Sequence, residues 1–238
     1  MPPGNRVLIV NADDFGLSPG ANEGVAAAHE RGILTSASLM VRWPAAAEAA
    51  AYARLHPQLS IGLHLDLGEW TFKDESWQLA YQVVPLENAE AIAQEISRQF
   101  EQFNALMGRE PTHLDSHQHV HESEPVRALC LKAANERNIV LRNTGSAIGY
   151  SGQFYGQSNK GHPYPEGISV ESLIKVIKQL PEGITELGCH PAVRSDMEGM
   201  YRAERLIECE SLCHPAVRAA VTAENISLRS FSTWRNPG

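Results

Sequence analysis

Residues 7–16 read VLIVNADDFG, a short apolar run that ends in two adjacent carboxylates and a glycine. The apolar residues at 7–11 predict a buried strand, since parallel strands covered on both faces are continuously hydrophobic. Ser18 and Pro19 follow, and they are typical of a helix N-cap and of the first helical position. We therefore predict a first strand at 7–11 and a helix over residues 19–31.

The same alternation of strands and helices recurs along the chain. Further strands are predicted at 36–41, 59–65, 112–116, 139–142, 184–189 and 226–231. Helices are predicted at 45–55, 89–107, 124–138 and 170–179, with two short helices between 202 and 223. The segments 68–88 and 143–168 are predicted to be irregular.

Repeated strand–helix units imply a parallel sheet. Seven strands in 238 residues fit an α/β fold, a distorted TIM-like (β/α) barrel with about seven parallel strands. We predict a single domain over residues 1–238. An open doubly wound sheet is the alternative, although no GxGxxG motif follows the first strand, which argues against dinucleotide binding.

Composition restricts the partners and the location of the protein. Hydrophobic residues make up 43% of the chain, enough for a core. The formal net charge is −8, whereas nucleic-acid-binding proteins usually present a basic face, so no nucleic acid is expected. No run approaches the ~18 apolar residues of a membrane span, and no secretory segment follows Met1. We expect a cytoplasmic protein without a membrane span, with a homodimer as one candidate oligomeric state.

Histidines follow three later apolar runs: GLHL at 62–65, HLDSHQHVH at 113–121 and GCH at 188–190. Functional residues of parallel α/β folds gather at the carboxyl ends of the strands, so these imidazoles should converge with the carboxylates of the first strand. One carboxylate and two imidazoles suit a divalent metal ion, and ligands that leave a position open for water are typical of metal-dependent hydrolases. The pattern favours that class.

Asp13 and Asp14 suit different roles, because neighbouring side chains of an extended segment point to opposite faces. One carboxylate can bind the ion while the other accepts the proton of the attacking water. The same alternation places His113, Asp115 and His117 on one face, where Asp115 could orient a ligating imidazole.

These residues can also have purely structural roles. The two aspartates can cap the following turn, and a histidine in an apolar run, such as His64, can be a satisfied core residue. Most of the histidines in 113–121 can be loop residues, since one four-coordinate ion cannot take them all.

Four strings, VNADDFGLS at 10–18, GLHL at 62–65, PTHLDSHQHVH at 111–121 and CHP at 189–191, resemble the YdjC family of carbohydrate deacetylases, in the same order. That family includes chitooligosaccharide deacetylases and deacetylases of hopanoid-linked glucosamine. The resemblance implies a distorted TIM-like barrel and hydrolysis of the acetyl group of an N-acetylated sugar.

The resemblance also implies a set of site residues. Asp14, His64 and His117 would hold one divalent ion, Mg²⁺ or Zn²⁺, and Asp13 would be the general base. His190 matches the family's late histidine and is the candidate general acid. Aromatic side chains in the two irregular segments could stack on sugar rings; they are Trp70, Phe72, Trp77 and Tyr155.

Two other functions share parts of this pattern. Two histidines and one carboxylate also form the iron site of non-haem oxygenases, in which the second aspartate would have no clear task. A sugar-binding module without catalysis would not need both acids and the histidines together.

Overall fold

The computed structural model describes residues 6–144 and 147–233, and a parallel sheet forms its centre. The strands are β1 (Arg6–Phe15), β2 (Ser36–Leu39), β3 (Ser60–Leu65), β4 (Gly68–Lys73), β5 (Ser76–Gln82), β6 (His113–Ser116), β7 (Val140–Leu141), β8 (Gly149–Ser151), β9 (Gly183–Cys189) and β10 (Ser227–Leu228). The α-helices are α1 (Pro19–Arg31), α2 (Ala46–Leu55), α3 (Ala89–Met107), α4 (Val126–Glu136), α5 (Val170–Lys178), α6 (Ala203–Cys213) and α7 (Pro215–Ala223).

The parallel sheet has the strand order β7-β6-β3-β2-β1-β9-β8, and β10 pairs with the first half of β1. The sheet curls into a half-barrel whose end strands, β7 and β8, are not paired with each other within the described residues. All seven predicted strands belong to it. The prediction of a distorted TIM-like barrel with about seven parallel strands is therefore confirmed, and β8 is an eighth strand.

Local signals set the ends of the helices as predicted. Ser18 caps α1, since its Oγ accepts a hydrogen bond from the backbone N–H of Ala21 at 3.1 Å. Asn88 caps α3 in the same way, and Gly108 ends it with φ 68°, a left-handed conformation that glycine adopts without strain. No helix within the described ranges is long and apolar enough to cross a membrane.

The prediction that residues 68–88 are irregular is wrong, because β4 and β5 form an antiparallel hairpin there. The two residues between the strands, Asp74 and Glu75, have φ values of 50° and 58°. Such a turn usually carries Asn-Gly or Asp-Gly, so Asp-Glu gave no hairpin signal in the sequence.

Two further predicted elements differ from the structure. The segment 143–168 was predicted as a loop, yet β8 lies within it and pairs in parallel with β9. Three residues are too few to show a hydrophobic period in the sequence. The last strand, predicted at 226–231, is shorter in the structure: Ser227 and Leu228 pair with β1, and a 3₁₀ turn begins at Phe231.

Gly62 lies where β3 approaches the ring of His113 on β6. A Cβ at Gly62 would stand 2.4 Å from that ring, which stacks on Phe231 with centroids 3.9 Å apart. We predict that Gly62→Ala lowers the free energy of unfolding by about 1–3 kcal/mol through overpacking.

Denaturant unfolding of both variants measures this cost. Gly149→Ala on β8 is the control, because the added Cβ would meet only the carbonyl oxygen of Ile184 at 3.7 Å. Equal stability of the two variants would contradict the overpacking at Gly62.

Candidate active site

A cleft of about 800 Å³ opens at the carboxyl edge of the parallel sheet. Its lining residues come from the ends of β1, β3 and β9, from the turn after β6, from the hairpin β4–β5 and from the segment 196–201, among others. The polar residues lining it include Asp13, Asp14, His64, Glu69, His117, His190 and Arg205. Every residue proposed from the sequence as a ligand, base or acid therefore borders this cleft.

An irregularity in β1 brings both aspartates to the cleft. Ala12 pairs with Ala37 and Phe15 with Leu39, so three steps along β1 face two along β2, as in a β-bulge. Asp14 has φ 61°, a left-handed conformation that costs a non-glycine residue about 1–3 kcal/mol. In a regular strand one carboxylate would point away from the cleft, so the bulge and not simple alternation positions the pair.

Asp14, His64 and His117 converge on one point. The Oδ1 atom of Asp14 lies 3.2 Å from Nε2 of His64 and 3.0 Å from Nδ1 of His117. One donor atom of each residue lies within 4.8 Å of the other two. Donor atoms this close can share one small cation, and three protein ligands leave positions open for water. The set fits a divalent metal ion.

The second oxygen of Asp14 binds Arg205 of α6, with 2.5 Å between Oδ2 and Nη2. Burial opposes the ionisation of Asp14, but Arg205 and His117 outweigh it and hold the pKa of this carboxyl well below its usual range. Asp14 is therefore an anion at neutral pH, as a metal ligand has to be.

His64 is held between carboxylates. Its Nδ1 lies 2.7 Å from Oδ1 of Asp115, whose other oxygen accepts a hydrogen bond from Ser38 at 2.6 Å. Burial alone would lower the pKa of His64, but Asp115 and Asp14 raise it to about 10. The site thus favours a positive charge at this position, and a metal ion on Nε2 would replace the proton while Asp115 keeps the ring oriented.

The guanidinium group of Arg142, at the end of β7, joins three carboxylates from other strands. Both oxygens of Asp13 accept from it at 2.6 Å, and its Nη2 lies 2.8 Å from Asp115 and 2.7 Å from Glu186 of β9. Burial disfavours ionisation of Asp13, but Arg142 more than compensates and lowers the pKa of this carboxyl. At Glu186 burial prevails and raises the pKa to about 7.

His190 lies beside Asp13 in the cleft. Its Nε2 is 3.9 Å from Oδ2 of Asp13, and its Nδ1 is 3.6 Å from Oε1 of Glu208, a fully buried residue of α6. The backbone N–H of His190 and the hydroxyl of Tyr201 both donate to the Glu208 carboxylate. The ring therefore has one nitrogen facing a buried acid and the other facing the cleft.

The remaining histidines of the segment 113–121 are engaged elsewhere. His113 is buried, and burial lowers the pKa of its ring to about 4. His119, His121 and Glu122 form another group of close donors, but both ring nitrogens of His121 already have partners, Ser116 at 2.6 Å and the carbonyl of Arg142 at 3.2 Å. This second group is a poor metal site. A third group, Asp13, His64 and Asp115, shares His64 with the first, and Arg142 lies between its two carboxylates.

Sequence reasoning missed three residues of the site. Arg142 could have been found, because it ends a predicted strand at the functional edge of the sheet. Arg205 and Glu208 lie on α6, far along the chain, and nothing in their local sequence marks them. Among the aromatic residues proposed from the sequence, Trp77 and Tyr155 line the cleft, whereas Trp70 and Phe72 are not among its lining residues.

Residues 7–223 match the family described as YdjC-like protein, and the chain belongs to this family. The chitooligosaccharide deacetylase of Serratia marcescens is 32% identical over 263 residues, which cover 95% of this chain and 98% of the relative. The resemblance noted in the sequence is confirmed.

Solved structures extend the likeness in fold. A proposed cellobiose-phosphate cleavage protein from Enterococcus faecalis V583 has a TM-score of 0.77 at 27% identity, and the match covers 96% of this chain and 98% of that one. A family 4 carbohydrate esterase from Streptomyces lividans, in complex with acetate, has a TM-score of 0.55 at 13% identity, covering 97% and 96%. The second likeness shows a shared fold.

Replacing Arg142 with methionine should leave buried carboxylates unpaired. We predict that Arg142→Met lowers the free energy of unfolding by about 3–5 kcal/mol at neutral pH. Without the guanidinium group, burial would raise the folded-state pKa values of Asp13 and Asp115 above their unfolded values. The folded variant would then bind more protons than the unfolded chain, so its deficit should shrink as the pH falls from neutral.

In the wild type, the contribution of these carboxylates to stability changes with pH in the opposite direction. Its lowered pKa values at Asp13 and Asp115 stabilise the folded state above the unfolded value of 3.8, and this contribution is lost as the pH falls below it. Urea unfolding at several pH values measures both trends. Arg127→Met, at an exposed position of α4, is the control, and a pH-independent deficit in Arg142→Met would contradict the charge argument.

Proposed function

We propose that this protein is a metal-dependent hydrolase that removes the acetyl group from an N-acetylated sugar. The observation that carries the proposal is the pair Asp13–Asp14, whose bulge sends one carboxylate to Arg142 and the other to two histidines in a single cleft. The chain belongs to the YdjC-like family, and a relative that matches it over 98% of its own length is named chitooligosaccharide deacetylase, which supports a carbohydrate substrate.

Asp14, His64 and His117 are the residues that would hold the divalent ion, Mg²⁺ or Zn²⁺. An anionic oxygen and two imidazole nitrogens around one point match the donors that such ions accept. When bound, the ion supplies an acidified water and polarises the acyl carbonyl of the substrate.

Asp13 is the proposed general base. Arg142 keeps it ionised, so it can accept a proton at neutral pH, and the bidentate contact fixes the plane of its carboxylate. Asp13 lines the cleft, next to the proposed ligand Asp14 in the chain.

His190 is the proposed general acid. Its Nε2 lies 3.9 Å from Oδ2 of Asp13, so both side chains can contact the same acetamide group bound beside them. The carboxylate of Glu208 lies on the Nδ1 side of the ring, and the rings of Tyr155 and Tyr201 flank it with centroids 5.8 and 5.2 Å away. The ring can thus deliver a proton to the departing amine.

The walls of the cleft suit a carbohydrate. Trp43, Trp77, Tyr81 and Tyr155 line it, and aromatic faces stack on the apolar faces of sugar rings. Trp77 is 51% exposed, so its face is accessible to a substrate. The indole N–H of Trp43 and the hydroxyl of Tyr81 donate to the buried carboxylate of Asp66 at 3.2 and 2.9 Å, which holds both rings in place.

Acetate release from N-acetylglucosamine oligomers, with and without a chelator, tests the proposal. An oxygenase would consume O₂ with iron and release no acetate, and a binding module would bind the oligomer without turnover. We predict acetate release that a chelator abolishes and that added divalent metal restores.

The ligand assignment gives a second expectation. Asp14→Ala, His64→Ala and His117→Ala should each lower the affinity for the divalent ion by about tenfold or more, while Asp13→Asn should keep the ion and lose about 10²- to 10⁴-fold in turnover. Metal content after dialysis, measured by mass spectrometry, distinguishes the two groups. A metal-free Asp13→Asn protein would show that the two aspartates have exchanged roles.

The acid role of His190 has its own signature. His190→Ala should keep the metal and lose most of its rate on amides, because a departing amine needs a proton. An acetyl ester with a phenolic leaving group needs little protonation and should be affected much less. We measure the ratio of amide to ester rates in both proteins; equal losses on both substrates would exclude His190 as the acid.

A further inference from the structure

The guanidinium group of Arg205 on α6 has one donor atom that its ion pair with Asp14 does not occupy. Only 5% of the residue is exposed, and it is the single Lys or Arg among the residues that line the cleft. Its Nη1 atom is buried and has no hydrogen-bond partner within the described residues. A buried donor without an acceptor is energetically unfavourable, so such groups usually meet a ligand or water.

The rest of the guanidinium group is fixed. Its Nε donates to the backbone carbonyl of Tyr201 at 2.7 Å, and its Nη2 donates to Asp14 at 2.5 Å. Because the guanidinium is planar, these two contacts also fix the direction of Nη1. The unpaired donor is therefore held in place beside the proposed ligand Asp14 before any substrate arrives.

We propose that Nη1 of Arg205 donates a hydrogen bond to the acyl oxygen of the substrate and stabilises the charge that develops there. The inference rests on the deacetylase function proposed above and makes Arg205 a further catalytic residue of that reaction. In other enzymes, a donor aimed at the oxygen of a tetrahedral intermediate typically increases turnover about 10²- to 10³-fold.

The charges of the cleft favour an acyl oxygen over an anionic substituent of the sugar. Five carboxylate residues line it against Arg205 alone; they are Asp13, Asp14, Glu69, Asp196 and Glu198. A phosphate or carboxylate on the substrate would meet this excess of negative charge throughout binding. The acyl oxygen is neutral in the substrate and becomes negative only in the intermediate, next to the bond that breaks.

The step balances as an ordinary amide hydrolysis. Water loses a proton to Asp13 while its oxygen bonds to the acyl carbon, and the carbonyl π pair moves to the oxygen that faces Arg205. When this pair returns, the C–N bond breaks, and the nitrogen takes a proton from His190. The proton of the new carboxyl group returns to His190 and the proton on Asp13 passes to solvent, so acetate and the free amino sugar leave. One oxygen of the acetate is the former acyl oxygen that faced Nη1.

Two substitutions of Arg205 and one matched control test the inference. Arg205→Lys keeps a positive charge near Asp14 but replaces the fork with one nitrogen, and Arg205→Gln removes the charge. Arg202→Gln is the control, because Arg202 is exposed, bonds Ser195 at 3.1 Å and does not line the cleft. For each protein we measure bound metal, kcat, KM and the Kd of acetate by calorimetry.

We expect kcat of Arg205→Lys to fall about 10²- to 10³-fold with little change in KM, while the metal content stays at the wild-type level. The Kd of acetate should rise about tenfold or more, and Arg202→Gln should match the wild type. Wild-type turnover or unchanged acetate affinity in Arg205→Lys would overturn the inference. So would a loss of turnover that parallels a loss of metal, since Arg205 would then only position Asp14.

A measurement on the wild-type protein avoids any folding defect of the variants. Acetate should shift the side-chain NMR signals of the Arg205 guanidinium group, assigned from the Arg205→Lys spectrum or by segmental labelling; no shift at saturating acetate would overturn the inference. The wild-type acetate-release assay separates the two proposals. If wild type releases no acetate, the proposed function fails; if it does and Arg205→Lys is equally active, only the role of Arg205 fails.

Discussion

The arrangement of the site depends on Arg142 and the carboxylates around it. This guanidinium group is fully buried at the end of β7 and binds Asp13 of β1, Asp115 of β6 and Glu186 of β9, so it joins four strands of the half-barrel at their carboxyl ends. Ionised carboxylates without this partner would be expensive to bury. Negative charge still exceeds what Arg142 neutralises, and the high pKa of His64, about 10, expresses the resulting preference for a further cation.

That preference links the packing of the fold to its chemistry. The β-bulge in β1 divides two adjacent carboxylates, so that Asp13 belongs to the Arg142 network while Asp14 faces His64, His117 and Arg205. A divalent ion at Asp14 would supply positive charge where the interior favours it. Asp13 would stay ionised beside that ion without becoming its ligand, because Arg142 already occupies both of its oxygens.

Much of this could be predicted from the sequence, since the signals were local. Apolar runs gave the seven strands, Ser18-Pro19 and Gly108 gave helix ends, and the polar residues after the strands gave the edge at which the site lies. Interactions between distant segments could not be predicted in this way. Arg205 reaches Asp14 across 191 positions of the chain, and the hairpin β4–β5 turns through Asp-Glu, which is not a usual hairpin sequence. The bulge at Asp14 likewise depends on the pairing of β1 with β2.

The position of the ion is the most direct test of this account. Crystals of the wild-type protein, equilibrated with Mn²⁺ and measured at a wavelength with strong anomalous scattering, would show where the metal binds. The account predicts one anomalous peak bounded by Asp14, His64 and His117, with Asp13 still bound to Arg142. A peak between Asp13 and Asp115, a peak at His119 and His121, or no peak at saturating Mn²⁺ would contradict it.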